Sequence, residues 1–157
     1  MTPEEYKKKL AEHVVDIERW ANEDAPRIFG KTAVDIYTQN FQKEGFLNNG
    51  VQPWQEVKRR NGKASGAEAS RKILTGETGN LGRSFDYEAG KGEVRIYNDA
   101  RSASGFPYGA VHNEGVSNAG RSRNVVIPRR QIIGESEELT QACNEEIERK
   151  LKEASTK

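Results

Sequence analysis

The sequence predicts an α+β fold, an antiparallel β-sheet with long N-terminal and C-terminal helices packed on it. Three observations lead there. Apolar residues recur at three- and four-residue steps near both ends of the chain, and they alternate between residues 84 and 98. The strand-like stretches also group together between the helices instead of alternating with them, which favours antiparallel pairing.

Each element has a local reason. Tyr6, Leu10, Val14, Ile17 and Ala21 fall on one helical face. Thr2 supplies a capping hydroxyl, Pro3 suits the first helical position, and Glu4 and Glu5 face the positive helix end. Pro26 is expected to break this helix, because it has no N–H and disfavours α geometry at Ala25. A second helix follows with Phe29, Ala33, Ile36, Tyr37 and Phe41 as its stripe, ending near Gly45. Residues 1–45 thus read as a helical pair and 46–157 as an α+β core with a C-terminal helix, together one domain in a chain of 157 residues.

From Phe46 to Ser70 the chain is polar and punctuated, with Phe46, Leu47, Val51, Trp54 and Val57 as its anchors. It is expected to be extended and pinned by Trp54, and most mobile from Arg60 to Ser70. "RKILTGETGNLGRSF" reads as a short helical run and a tight turn, with Thr78 capping a helical turn that carries Leu81 inward. Residues 84–98 read as a β-hairpin closed by a three-residue "GKG" loop, with Phe85, Tyr87 and Ala89 on one face and Val94 and Ile96 on another. Residues 99–106 form a loop. Tyr108, Val111 and His112 share the face of a short helical turn, and Gly115 suits a left-handed stop. "NVVIP" is a short strand. Ser136 caps a last helix with Leu139, Cys143, Ile147 and Leu151 along its stripe.

Composition narrows the function. Apolar residues make up 34% of the chain and charged residues 31%, so a modest core carries much solvated or partner-facing surface. No run of apolar residues approaches the length of a membrane span, and the cytoplasm is the expected setting. The lone Cys143 excludes an internal disulfide. The net charge of +1 conceals a division: residues 1–45 carry −2, residues 46–134 carry +6 and residues 135–157 carry −3. That basic centre is mild for a dedicated nucleic-acid binder. It suits salt-dependent contact with an acidic surface.

The candidate chemical sites are weak. His112-Asn113-Glu114 is like the H-x-E element of zinc deaminases, but no P-C-x-x-C follows, and a helix would aim residues 112 and 114 about 200° apart. His112 is better read as packing and hydrogen-bonding at the end of a turn. Gly76, Gly79 and Gly82 lack the lysine and hydroxyl residue of a phosphate-binding loop, so they read as turn residues. No nucleophile motif occurs. Neither an enzyme, a metal nor a cofactor is expected. Arg121 and Arg123 sit in a Gly/Ser/Asn-rich loop, and Arg129 and Arg130 follow Pro128 on stiffer backbone. These four arginines are the candidate interface, suited to acidic protein surfaces or, in an alternative reading, to DNA phosphates. No aromatic residues interleave with them, which disfavours single-strand binding.

Four stretches, "FQKEGF…PW", "ILTGETGNLGRSF", "PYGAVHNEG" and "IPRRQIIGESEE", together resemble the Mu-type phage virion morphogenesis (tail completion) family in order and spacing. The matching positions are Phe46 and Trp54; Leu74, Thr78, Gly79, Leu81 and Ser84; Tyr108, His112 and Gly115; and Ile127, Pro128, Arg129, Gly134 and Ser136. The resemblance covers roughly residues 26 to 150. Gly109 stands where alanine is usual, and Arg130-Gln131-Ile132-Ile133 replaces a proline–phenylalanine–leucine run. The resemblance implies a non-enzymatic structural protein that finishes a phage or prophage tail or joins it to the head. Its partners would be other tail and neck proteins and further copies of itself in a ring, in the host cytoplasm during assembly and then in the virion.

Overall fold

A computed structural model describes residues 1–62 and 64–156; Lys63, inside the stretch expected to be mobile, lies outside the described residues. Helix α1 (Pro3–Arg19) opens as the sequence foretells. Thr2 Oγ1 accepts the Glu5 N–H at 3.1 Å while the Glu5 carboxylate accepts the Thr2 N–H at 2.7 Å. Pro26 does not break the rod. The chain runs through a π-helical turn (Trp20–Asp24) directly into α2 (Ala25–Lys43). The Ala25 N–H reaches back five residues to the Trp20 carbonyl. This widened turn leaves room for the proline ring, a recognised way to relieve a helix interior. Glu44, in left-handed backbone at φ 53°, ends α2.

The expected single sheet is three separate two-stranded antiparallel hairpins, β1–β2 (Gly45–Leu47, Val51–Pro53), β3–β4 (Phe85–Ala89, Val94–Asn98) and β5–β6 (Val116–Ala119, Val125–Ile127). The first was missed by the extended reading of residues 46–70. That stretch also contains a 3₁₀ turn (Lys58–Asn61) and the short helix α3 (Ala67–Ser70). Phe46, Leu47 and Trp54 are buried as anchors, whereas Val51 faces solvent. In the second hairpin the strands stop at Ala89 and resume at Val94, so the loop, residues 90–93, is one residue longer than expected, with Gly90 N–H bonded to the Glu93 carbonyl at 2.8 Å across its base. Its register pairs Tyr87 with Ile96 and Ala89 with Val94. Directly opposed residues share a face, so the apolar residues of both strands lie together and not on two sides, and the hairpin packs on α2.

Asn80–Arg83 (α4) carries Leu81 into the core, with Gly79 at φ 65° in the cap position and Thr78 Oγ1 accepting the Asn80 N–H. The short helical run foreseen at the start of "RKILTGETGNLGRSF" is absent: residues 71–79 are bend, turn and irregular chain, with Leu74 at positive φ. Tyr108–Glu114 (α5) and Glu137–Thr156 (α6) complete the order. Ser136 Oγ accepts the Leu139 N–H as the foreseen cap. Glu138 at the start of α6 accepts the N–H groups of Asn49 and Gly50, docking the β1–β2 turn on that helix end. Ile147 and Leu151, expected along a buried stripe, are exposed; Leu139 and Cys143 are half-buried. The core gathers Tyr37 and Phe41 of α2 with Phe46, Trp54, Ile73, Leu81, Phe85 and Ile132. Phe41 meets Trp54 edge-on with ring centroids 5.2 Å apart.

Candidate functional site

Five of the motif residues, far apart in sequence, meet around one pocket, while Trp54, Gly79, Ser84, Gly115, Pro128 and Arg129 do not line it. Leu74, Thr78 and Leu81 form one side, Tyr108 and His112 of α5 the other, and Arg59 and Arg130 complete the rim of a space of about 330 Å³. Local geometry explains the convergence. Leu74 takes a positive φ of 59°, unusual for a branched side chain. The Ile73 N–H beside it is held by the Glu44 carboxylate at 2.7 Å. Tyr108 OH accepts Asn80 Nδ2 at 2.5 Å, tying α5 to α4 across the pocket mouth. At Gly109 an added Cβ would sit 2.9 Å from Asn98 Oδ1, so the glycine answers to the Asn98 side chain, which bonds the Leu81 carbonyl at 2.8 Å. Gly115 ends α5 at φ 73°, ψ 159°, an extended mirror-image backbone and not the left-handed helical one foreseen. A Cβ there would also lie 2.8 Å from the Arg129 nitrogen.

Beside this pocket runs the segment 129–134, which belongs to no helix or strand. Its backbone polar groups are satisfied by side chains from distant parts of the chain, as buried backbone requires. Trp54 Nε1 donates to the Gln131 carbonyl at 2.8 Å. Asn113 Oδ1 accepts from both Ile132 and Ile133 N–H, at 2.9 and 3.1 Å. Asn40, fully buried, donates to the Ile132 carbonyl and accepts the Leu47 N–H. Tyr37 OH donates to the Gly134 carbonyl at 2.6 Å. Of these fasteners, sequence reasoning singled out Trp54 as an anchor and Tyr37 only as core, and missed Asn40 and Asn113.

The four candidate interface arginines divide. Arg121, Arg123 and Arg129 are exposed. Arg130 is only 7% exposed and donates to the carbonyls of Gln55 and Glu56, at 2.9 and 3.4 Å. Its own N–H bonds the His112 carbonyl. The outward presentation expected of Arg130 is therefore corrected: its guanidinium serves the chain's interior. Burial, followed by the charge of Arg59 nearby, weakens its hold on its proton. Burial and the Arg130 charge likewise push the His112 imidazole below its usual value, so the ring is neutral near pH 7. The Gly/Ser/Asn-rich loop that carries Arg121 and Arg123 is the turn of the β5–β6 hairpin, and the two arginines occupy its tip, next to exposed Val125 and Val126. This hairpin packs chiefly on itself.

Among the described residues no three His, Cys, Asp or Glu side chains gather around a point that could hold a metal ion, and no helix is long and apolar enough to cross a membrane. In comparisons with known proteins, the model of the phage virion morphogenesis family matches residues 15–152. No curated protein and no solved structure matches the chain.

Proposed function

The chain belongs to the phage virion morphogenesis family, and on that premise we propose that it is a structural protein of tail completion or head–tail joining. It acts by self-assembly and by docking to other virion proteins, with no bond made or broken. The observation that carries this reading is a family match spanning nearly the whole chain, including the core, the pocket and the segment 129–134. Surface chemistry supports it. The basic centre and acidic ends offer two unlike patches, the requirement for a head-to-tail ring contact. Arg121, Arg123 and exposed Val125 and Val126 put charge and apolar surface on one projecting hairpin, the pairing expected of a protein interface.

Removing the gene from the phage or prophage that carries it is expected to leave unjoined or incomplete heads and tails in electron micrographs of the lysate. Normal virions and plaques would reject the reading. The DNA-phosphate alternative is left with three exposed arginines once Arg130 is assigned to the interior. A duplex-DNA titration at two salt concentrations is expected to show only weak binding; tight binding that collapses with salt would favour that alternative.

A further inference from the structure

The pocket between α4 and α5 presents a problem of charge that the fold leaves open. Arg59 and Arg130 both line it, and no lining residue is acidic. Each guanidinium is anchored by main-chain carbonyls: Arg59 on Glu68, Arg71 and Lys72, Arg130 on Gln55 and Glu56. Among the described residues neither makes an ion pair, and the Nη1 group of each makes no hydrogen bond. Glu56, the acid that acts most on Arg130, turns its carboxylate to Arg60 and to the Val57 N–H. A buried cation without a counter-charge is strongly unfavourable, and Arg130 is buried with the charge of the partly exposed Arg59 near it. The His112 ring in the same wall leaves Nδ1 buried and without a partner.

The rest of the lining says what would complete it. Leu74 and Leu81 give the pocket apolar lining, and Thr75 and Thr78 add hydroxyls to it. Guanidinium forks match planar carboxylates, and an apolar wall favours an anion carried on a hydrocarbon stem over a free, fully hydrated one. We propose that this pocket is a carboxylate-binding site, seating an acidic side chain or a chain-terminal carboxylate of a partner protein, with Arg59 and Arg130 as its cations. Only the source of that carboxylate rests on the docking role proposed above.

The test is a titration of the full chain followed by NMR, with N-acetyl-leucine as the probe. N-acetyl-leucinamide and inorganic phosphate at equal ionic strength form the other arms. Saturable shifts at residues 74–80 and at His112 are expected with N-acetyl-leucine alone. Arg59→Gln should weaken the binding at least tenfold. Thr78→Glu, at an exposed position on the rim, should keep the fold and abolish binding by supplying a carboxylate from within. Absence of saturation, equal shifts with the amide, or saturation by phosphate alone would overturn the proposal. So would undiminished binding in a folded Thr78→Glu protein. Failure here leaves the gene-deletion result untouched, so the two readings fail separately.

Discussion

Helices α1 and α2 are consecutive lengths of one rod, yet they live in different surroundings. α1 runs for 17 residues with none buried, while α2 runs for 19 and buries Ala25, Pro26, Gly30, Ala33, Tyr37, Asn40 and Phe41. Both are amphipathic by pattern. The apolar stripe of α2 is covered by β3–β4, α4 and the 129–134 segment, whereas Tyr6, Leu10 and Val14 of α1 remain exposed, as do Ile147 and Leu151 of α6. Periodicity therefore shows that a helix has an apolar side. Whether its own chain covers that side depends on residues far away in sequence. The stripe of α1 is open to further contacts, which fits a protein whose work is assembly.

Substitutions should break the comparison most sharply in the core. Phe41→Ala in α2 is expected to cost about 3–5 kcal/mol in urea unfolding, because the ring packs on Trp54 and Phe85 and fills a close-packed interior. The matched change Leu10→Ala in α1 should cost about 0.5 kcal/mol or less. Similar losses at the two sites would mean that α1 is covered in solution. A smaller effect, about 1–3 kcal/mol, is expected for Asn40→Ala, which strands the Leu47 N–H and the Ile132 carbonyl in the interior. Unchanged stability would remove Asn40 from the list of fasteners.

The gentlest test concerns the pin between α1 and α6. Asp16 bonds Lys150 at 2.9 Å and Arg19 at 2.8 Å, and these bonds lower its carboxyl from 3.8 to about 2. A depressed carboxyl binds its proton later in the folded chain than in the unfolded one. Its contribution is thus complete above pH 4 and is lost as pH falls toward 2. Amide exchange in α1 should accelerate over that window relative to α2, and Asp16→Asn should show the faster exchange already at pH 7. Equal exchange in both helices at every pH would show that the pin does not hold α1.

Much of the fold was legible where the cause is local. The Thr2–Glu5 capping box, the β3–β4 alternation, the Leu81 turn and the Ser136 cap all depend on neighbours a few residues away. The β1–β2 hairpin had a signal too, in the Asn49-Gly50 turn that the extended reading passed over. What was illegible depends on long reach. Arg129 and Arg130 look alike in sequence, and only the Gln55 and Glu56 carbonyls, some 75 residues away, decide that Arg130 turns inward. Asn40 bonds a carbonyl 92 residues on, and no local pattern marks it. The pocket follows the same rule: its motif residues were visible one by one, but their shared cavity was not.

The π turn at Trp20–Asp24 has a consequence for orientation. In an uninterrupted α-helix, each residue turns the chain by about 100°, which would set the stripe of Tyr6, Leu10, Val14 and Ile17 roughly 180° from that of Ala33, Tyr37 and Phe41. The widened turn absorbs one residue without advancing the helical phase, and the offset shrinks to about 80°. A single guest residue thereby brings two opposed flanks of one rod round to the same half. The phase of everything after Pro26 is set by that small irregularity.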